Sequence, residues 1–234
     1  MKKTISAVIG KGSTHHNNRK IITENVDKNK IFNNIIIVQD DIKSVYHELF
    51  DEALEKYNAK HTRKDRRIKD YHEHIRHSRQ EKEFHEVIFQ IGHRDDTHIG
   101  TADAKVCADI LKQFAEDFQR RNPHLRVFNA VIHMDEETPH LHIDFVPFAT
   151  EQKRGLSTRV SLTKALEQQG FKGEGKLNTA SKLWIDSEKQ VLTGLMAERG
   201  IEWEQLATEN QHLSVLNYKK QERQKEIEHA HNCQ

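Results

Sequence analysis

The sequence predicts an α+β fold: a central, mainly antiparallel sheet with helices packed on it. Three observations lead there. Short apolar or β-branched runs at 4–9, 32–39 and 84–91 are bounded by glycine, Asn-Asn or Asp-Asp turns and read as strands. Longer segments at 42–57 and 101–121 repeat apolar residues at helical spacing. Two alternating runs, 126–134 and 141–148, flank an acidic turn and read as an antiparallel hairpin. Strands with intervening helices and an adjacent hairpin give a sheet with helices over one face.

In order along the chain, the first strand ends at Gly10-Lys11-Gly12-Ser13, a turn. The run Ile35-Ile36-Ile37-Val38 marks a buried strand over 32–39. Asp41 then caps a helix over 42–57, with Val45, Leu49, Ala53 and Leu54 on one stripe. Residues 60–80 continue as basic helix. Thr101 or Asp103 opens a helix through Arg121 that turns Ala104, Cys107, Ile110, Leu111, Phe114 and Phe118 to a core. Beyond the hairpin come a helix over 161–168 and another over 180–199 closed by Gly200. Residues 203–231 read as one polar helix whose stripe is interrupted by Glu209 and Lys220. The organisation expected is one large domain, 1–200, followed by this C-terminal helix, 201–234.

Bulk composition excludes more than it selects. Hydrophobic residues make up 35% and charged ones 31%, so much of the helix is solvated, and a net charge of +1 names no partner. No apolar stretch approaches the length needed to span a bilayer. The start is too short in apolar residues for a signal peptide. Cys107 and Cys233 form no motif, which fits a reducing, cytoplasmic setting. The placement of charge says more. Eight basic residues against three acidic ones lie between Lys60 and Arg79. Arg63, Lys64, Arg66, Arg67 and Lys69 form a segment able to track a phosphate backbone. Lys153, Arg154 and Arg159 form a second set, with Lys164 beyond.

The most specific feature is His133-Met134-Asp135-Glu136-Glu137-Thr138-Pro139-His140-Leu141-His142. On the second strand His140, His142 and Asp144 share a face, while Leu141, Ile143 and Phe145 take the other. On the first, Val127, Asn129, Val131 and His133 share one parity and Phe128, Ala130 and Ile132 the opposite one. If both apolar sets face one core, the three imidazoles converge on the far side. A turn carboxylate completes a divalent metal site suited to Mn, Zn, Ni or Fe, and on spacing alone Asp135 and Glu136 serve equally. Asp144 and Asn129, by parity, and Glu86, on the strand at 84–91, are candidates to fix the imidazole tautomers.

The pattern His-x-Asp-Glu-x-x-Pro-His-x-His resembles the metal motif of the Mob/Pre (MobV-family) plasmid mobilisation relaxases, within the wider group of endonucleases with a histidine-hydrophobic-histidine pair. A second element, His16-Asn17-Asn18-Arg19, resembles the family's His-Asn-x-Arg motif. The resemblance spans roughly residues 1–200. It implies a relaxase-type sheet and strand-specific nicking of plasmid or mobile-element DNA at a transfer origin. It favours Glu136 over Asp135 as the ligand beside His133, His140 and His142, with Mn2+ or Mg2+ as cofactor and Asp135 and Asp144 supporting. It also implies His16 as nucleophile, forming a covalent 5′-phosphate adduct and later rejoining the strand. His15 is adjacent, and His16 is preferred because Asn17 and Arg19 then occupy motif positions. Arg19 would hold a phosphate oxygen, and Asn17 would orient the imidazole or a base.

The partners implied are transfer-origin DNA, single-stranded or hairpin near the nick, a conjugation coupling protein, and a second copy of the chain through a helical C-terminal region. Two other readings stand beside this one. A rolling-circle initiator or transposase of the same group would use a tyrosine. Tyr46, Tyr57 and Tyr71 fall on expected helices and Tyr218 in the tail, so none accompanies the first strand. A metal- or DNA-binding protein without turnover would keep the ligands alone.

Overall fold

The chain begins with β1 (Lys2–Lys3) and β2 (Ile5–Ile9), makes a single helical turn α1 (Thr14–Asn17), and reaches β3 (Ile35–Gln39). Helices α2 (Ile42–Ala59) and α3 (Tyr71–Arg76) precede β4 (His85–Ile91), α4 (Ala102–Glu116) and α5 (Phe118–Arg121). The hairpin β5 (Leu125–His133) and β6 (His140–Ala149) follows, then β7 (Arg159–Val160), α6 (Leu162–Gln168), α7 (Ala180–Ala197) and β8 (Glu202–Trp203). This computed structural model describes residues 1–205, of which Met1–Glu204 form one compact unit. The main sheet runs β2-β4-β6-β5-β3 with every neighbour antiparallel, and β7 pairs with the end of β6. The β1 and β8 strands make a separate parallel pair.

Two apolar clusters lie on opposite faces of the sheet. On one face α4, α5 and α7 contribute Phe114, Phe118, Trp184 and Leu192, packed on Val87, Phe89, Ile132, Leu141, Ile143 and Phe145. On the other, Val45, Tyr46, Phe50, Tyr71 and Ile75 from α2 and α3 meet Phe128, Val146 and Val160. Helices therefore cover both faces, not one. The second cluster engages β6 at Val146, towards the strand end remote from His140 and His142. That is why the sheet can bury one end and still present histidines at the other.

A β-bulge sets the parity of the hairpin. Pairing runs Leu125 to Pro147 and Val127 to Phe145, then shifts so that Asn129 meets Asp144, Val131 meets His142 and His133 meets His140. The extra residue is Phe128. Simple alternation groups Val127 with Asn129, but the bulge returns Val127 to the α4/α7 core and sends Phe128 to the second cluster. The three histidines still share a face.

Several boundaries differ from expectation for local reasons. The segment 60–80 is not a continued helix. Asn58 donates from Nδ2 to the Ile68 carbonyl at 2.7 Å and accepts the Ile68 N–H at 2.9 Å, turning the chain back, and Asp70 then caps α3 through the Glu73 N–H. The charge-dense stretch between has no apolar stripe to pack, and makes only the short 3-10 turn Lys64–Arg66. The helix capped by Thr101 stops at Glu116 and restarts as α5 after Asp117. Phe32, expected in a buried strand, sits in the 3-10 turn Ile31–Asn33 and is 83% exposed. Trp203 belongs to β8, and the rest of the expected polar helix lies outside the described residues from 206 on. Among the described residues no helix is long and apolar enough to cross a membrane.

Candidate metal centre and catalytic site

The hairpin brings His133, His140 and His142 together with ring centroids 4.5 to 5.1 Å apart. Each ring has one nitrogen tied down from outside. His142 Nδ1 donates to Glu86 Oε1 at 2.8 Å, His140 Nδ1 to the Thr138 carbonyl at 2.8 Å, and His133 Nε2 to the Asn17 carbonyl at 2.9 Å. Those three bonds fix the tautomers, so the remaining nitrogens carry lone pairs. His133 Nδ1 then faces His140 Nε2 at 3.3 Å, acceptor against acceptor, and His142 Nε2 is buried with no protein partner. Converging lone pairs in a buried site need a shared cation. The donor set fits a divalent metal with room for further ligands. Burial and the neighbouring imidazoles push His133 far below the ordinary histidine range and His140 down to about 4, so both are neutral and ready to ligate near neutral pH.

Behind the rings lies a polar layer. Glu86, opposite Asp144 in the sheet register, reaches His142, the Asn17 amide at 2.8 Å and the Gly12 N–H at 3.1 Å. Burial raises the Glu86 pKa, but these donors outweigh it and hold the carboxyl below its usual value. Gly10 makes room for it: a Cβ there would lie 1.7 Å from Glu86 Oε2. Asn17 Nδ2 also donates to Asp144 at 2.9 Å, and Asn129 Nδ2 to the same Asp144 oxygen at 2.8 Å. Even so, burial pushes Asp144 up to about 6. Asn17 thus braces two ligands, His133 through its carbonyl and His142 through Glu86.

The acidic turn divides its two carboxylates. Glu136 lies 3.8 Å from His133 Nδ1 and 3.9 Å from His140 Nε2, while Asp135 is wholly buried and turned away. Asp135 takes Arg19 Nε at 2.7 Å, a second bond from Arg19 Nη2, and Asn34 Nδ2 at 2.7 Å. Arg19, in a left-handed conformation with φ 53°, also gives Nη2 to Glu136 at 2.9 Å. Nε and Nη2 are therefore occupied by protein carboxylates, and for the phosphate role expected of it only Nη1 is left, which itself donates to the His16 carbonyl at 3.4 Å. Nη1 also lies 3.4 Å from His16 Nε2.

The His16 ring is partly open to solvent, with Nε2 3.8 Å from Glu136 Oε1, and its centroid is 5.8 Å from His133 and 6.1 Å from His142. Partial burial, and next the Arg19 charge, lower its pKa below 6.5. It is close enough to share a cation with His133 and His142, or to attack a phosphate held there. His15, exposed, uses its carbonyl to accept the Lys20 and Ile21 N–H groups.

The two basic sets meet each other rather than the metal centre. Arg66, Arg67 and Lys69 line a groove of about 730 Å³ with Arg159, among Asp65, Asp70, Glu73 and Glu81. Lys153 lines a neighbouring hollow with Lys56 and Lys60. Arg63 pairs with Asp65 at 2.6 Å, and Lys64 and Arg154 are exposed. The β7 strand carrying Arg159 pairs with Ala149, at the opposite end of β6 from His140 and roughly 30 Å along the strand.

A family model described as plasmid recombination enzyme, Mob_Pre, matches residues 2–220. The chain belongs to the Mob_Pre family. Among solved structures, it is similar to the MobM relaxase domain bound to plasmid pMV158 oriT DNA (22 nt) in a Mn-bound crystal structure at pH 5.5. That match has a TM-score of 0.53 at 18% identity and covers 93% of this chain and 98% of that one. A second MobM structure, bound to a 23-nt oriT DNA and Mn-bound at pH 6.5, gives a TM-score of 0.50 at 18% identity over 94% and 98%. At that identity the likeness establishes the fold. No curated protein matches the chain.

Three residues that hold this Mob_Pre site together escape a reading of the sequence. Asn34 bonds both Asp135 and the Met134 N–H, and Asn25 Nδ2 reaches Glu136 at 2.6 Å. Asp27 N–H bonds the Asp135 carbonyl at 2.7 Å. The Asn33-Asn34 pair reads as a strand boundary, and nothing in its spacing points to a turn a hundred residues away.

Proposed function

We propose that this chain is a relaxase that nicks one strand of plasmid or mobile-element DNA at a transfer origin and holds the new 5′ phosphate on His16. The carrying observation is the face on which His133, Glu136 and His140 form one candidate metal triad and His133, His142 and His16 another. A divalent metal bound by His133, His140, His142 and Glu136, Mn2+ or Mg2+, would polarise the scissile phosphate and offset its charge.

The chain's own residues supply the rest. His16 Nε2, kept neutral by burial and by Arg19, attacks phosphorus. The N–P bond forms, the P–O3′ bond breaks, and the proton that the phosphorylated ring gives up at Nδ1 balances, through solvent, the one the departing 3′ oxygen takes to become a hydroxyl. The phosphoramidate conserves the bond energy, so a 3′ hydroxyl attacking in reverse restores the strand. Arg19 acts chiefly as the brace that ties the His16 turn to Asp135 and Glu136. The basic groove, whose Arg159 lies by the end of β6 remote from His140, suits duplex or hairpin DNA away from the nick. A coupling protein, and a dimer made through the C-terminal region, are the further partners of this reading.

Tyrosine chemistry has less support. Tyr46 and Tyr71 are buried in the α2/α3 cluster, and burial raises both hydroxyls, Tyr71 to about 12. The test is relaxation of a supercoiled plasmid carrying the element's own origin, with Mn2+. Wild type and His15→Ala are expected to nick, and His16→Ala to lose on the order of 10^3-fold or more. Retained nicking by His16→Ala would overturn the proposal. Loss on replacing Tyr46, Tyr57 and Tyr71 with Phe, but not on His16→Ala, would install the tyrosine reading.

A further inference from the structure

A nick needs more than a held phosphate: the nucleotides on either side must be pinned, and an unpaired base is most readily pinned by lying on an apolar surface. Resting on the relaxase reading above, we propose that Phe32, on the same segment as the exposed Ile36, is the shelf that takes an unpaired base next to the cleaved phosphate.

Phe32 is 83% exposed and is the only exposed Phe, Tyr or Trp among the described residues. A single exposed apolar side chain is ordinary, but several along one stretch mark a binding surface. Ile36 is 60% exposed. Its pairing with Val131 puts it on the same face as His133 and His142, since Val131 in turn pairs with His142. Two strand spacings separate Ile36 from His142, about 10 Å. Ile21 and Ile22, 55% and 42% exposed, lie in the same covering segment.

That segment is not loose. Val26 is buried beneath it, Asn34 clamps Asp135 and Met134, Asn25 holds Glu136, and the Asp27 N–H bonds the Asp135 carbonyl. Phe32 therefore stands two residues from a side chain bolted to the turn that carries Glu136. The stretch 20–34 carries Lys20, Lys28 and Lys30 against Glu24 and Asp27, with Lys30 paired to Asp27 at 3.1 Å, which leaves it a slight excess of positive charge. An apolar ring on a segment fixed to a phosphate-handling site matches a nucleotide, with its flat base, better than it matches a protein surface.

The experiment compares two single-stranded probes in the presence of Mn2+: an oligothymidylate and a fully abasic strand of the same length. The abasic strand keeps the phosphates and loses the rings. Wild type is expected to prefer the oligothymidylate, Phe32→Ala to lose about tenfold of that preference, and Phe32→Trp to keep it. Mn2+ affinity should be the same in all three proteins, which sets Phe32 apart from the metal ligands. Equal preference in wild type and Phe32→Ala would overturn the shelf, as would equal weakening towards both probes. If wild type binds neither probe nor nicks its own origin, the relaxase reading falls and the shelf with it.

Discussion

The histidines work because each is held from behind. His142 is the clearest case: its Nδ1 is committed to Glu86, so its Nε2 has to face the site, where the protein offers it nothing. Removing a bond of that kind weakens metal binding by about 10–100-fold in other sites. Glu86→Ala is expected to do the same here in a Mn2+ titration, with the fold intact by circular dichroism. Unchanged affinity would mean Glu86 is scaffolding only. His16 makes a second residue-scale prediction. Its pKa lies below 6.5 because burial and Arg19 disfavour the cation. The neutral nucleophile therefore persists as pH falls through 6.5, and adduct formation should decline only at lower pH, through the depressed value. A pH profile of single-turnover nicking with a midpoint above 6.5 would contradict this assignment.

At the scale of elements, the site depends on tying α1 and the 20–34 segment to the β5–β6 turn. Asp135 is the knot, fully buried between Arg19 and Asn34. Breaking a buried pair by deleting one partner typically costs about 3–5 kcal/mol because the other charge is stranded. Asp135→Ala should lose stability of that order in denaturant unfolding and should also lower nicking, although Asp135 is not among the groups that converge on the metal face. A loss under about 1 kcal/mol would show that the segment is held by other bonds.

Elements also show how much of the fold is legible in the sequence. Strand alternation and the compact His133–His142 spacing are enough to place three imidazoles on one face, because parity is local. The Phe128 bulge is invisible in an alternating run, so alternation alone puts Val127 on the wrong face. The helix expected over 60–80 fails for a related reason: its end depends on Asn58 meeting Ile68, a turn chosen by side-chain bonding rather than by charge pattern. Asn17 and Arg19 are recognisable through their motif. The carboxylates that occupy them come from distant strands and turns, which spacing does not encode.

Across the molecule, Arg159 in the basic groove sits by Ala149, roughly 30 Å along β6 from His140. Such a separation assigns them different parts of one DNA. Replacing Arg66, Arg67 and Lys69 with Ala should weaken binding to origin DNA and reduce the salt slope by about one for each phosphate that is no longer neutralised. Nicking of a short single strand spanning the cleavage site should survive, since such a strand need not reach the groove. Equal loss on both substrates would place these residues nearer the chemistry than their position at the far strand end indicates.

The central claim is that a histidine, braced beside a metal-binding face, carries the DNA. Trapping the nicked complex, digesting it and locating the 5′-phosphate adduct by mass spectrometry tests that most directly. The expected result is an acid-labile, nitrogen-linked phosphate on the peptide containing His16, absent from His16→Ala and present in His15→Ala. An acid-stable adduct on Tyr46, Tyr57, Tyr71 or Tyr218, or one that survives in His16→Ala, would contradict it.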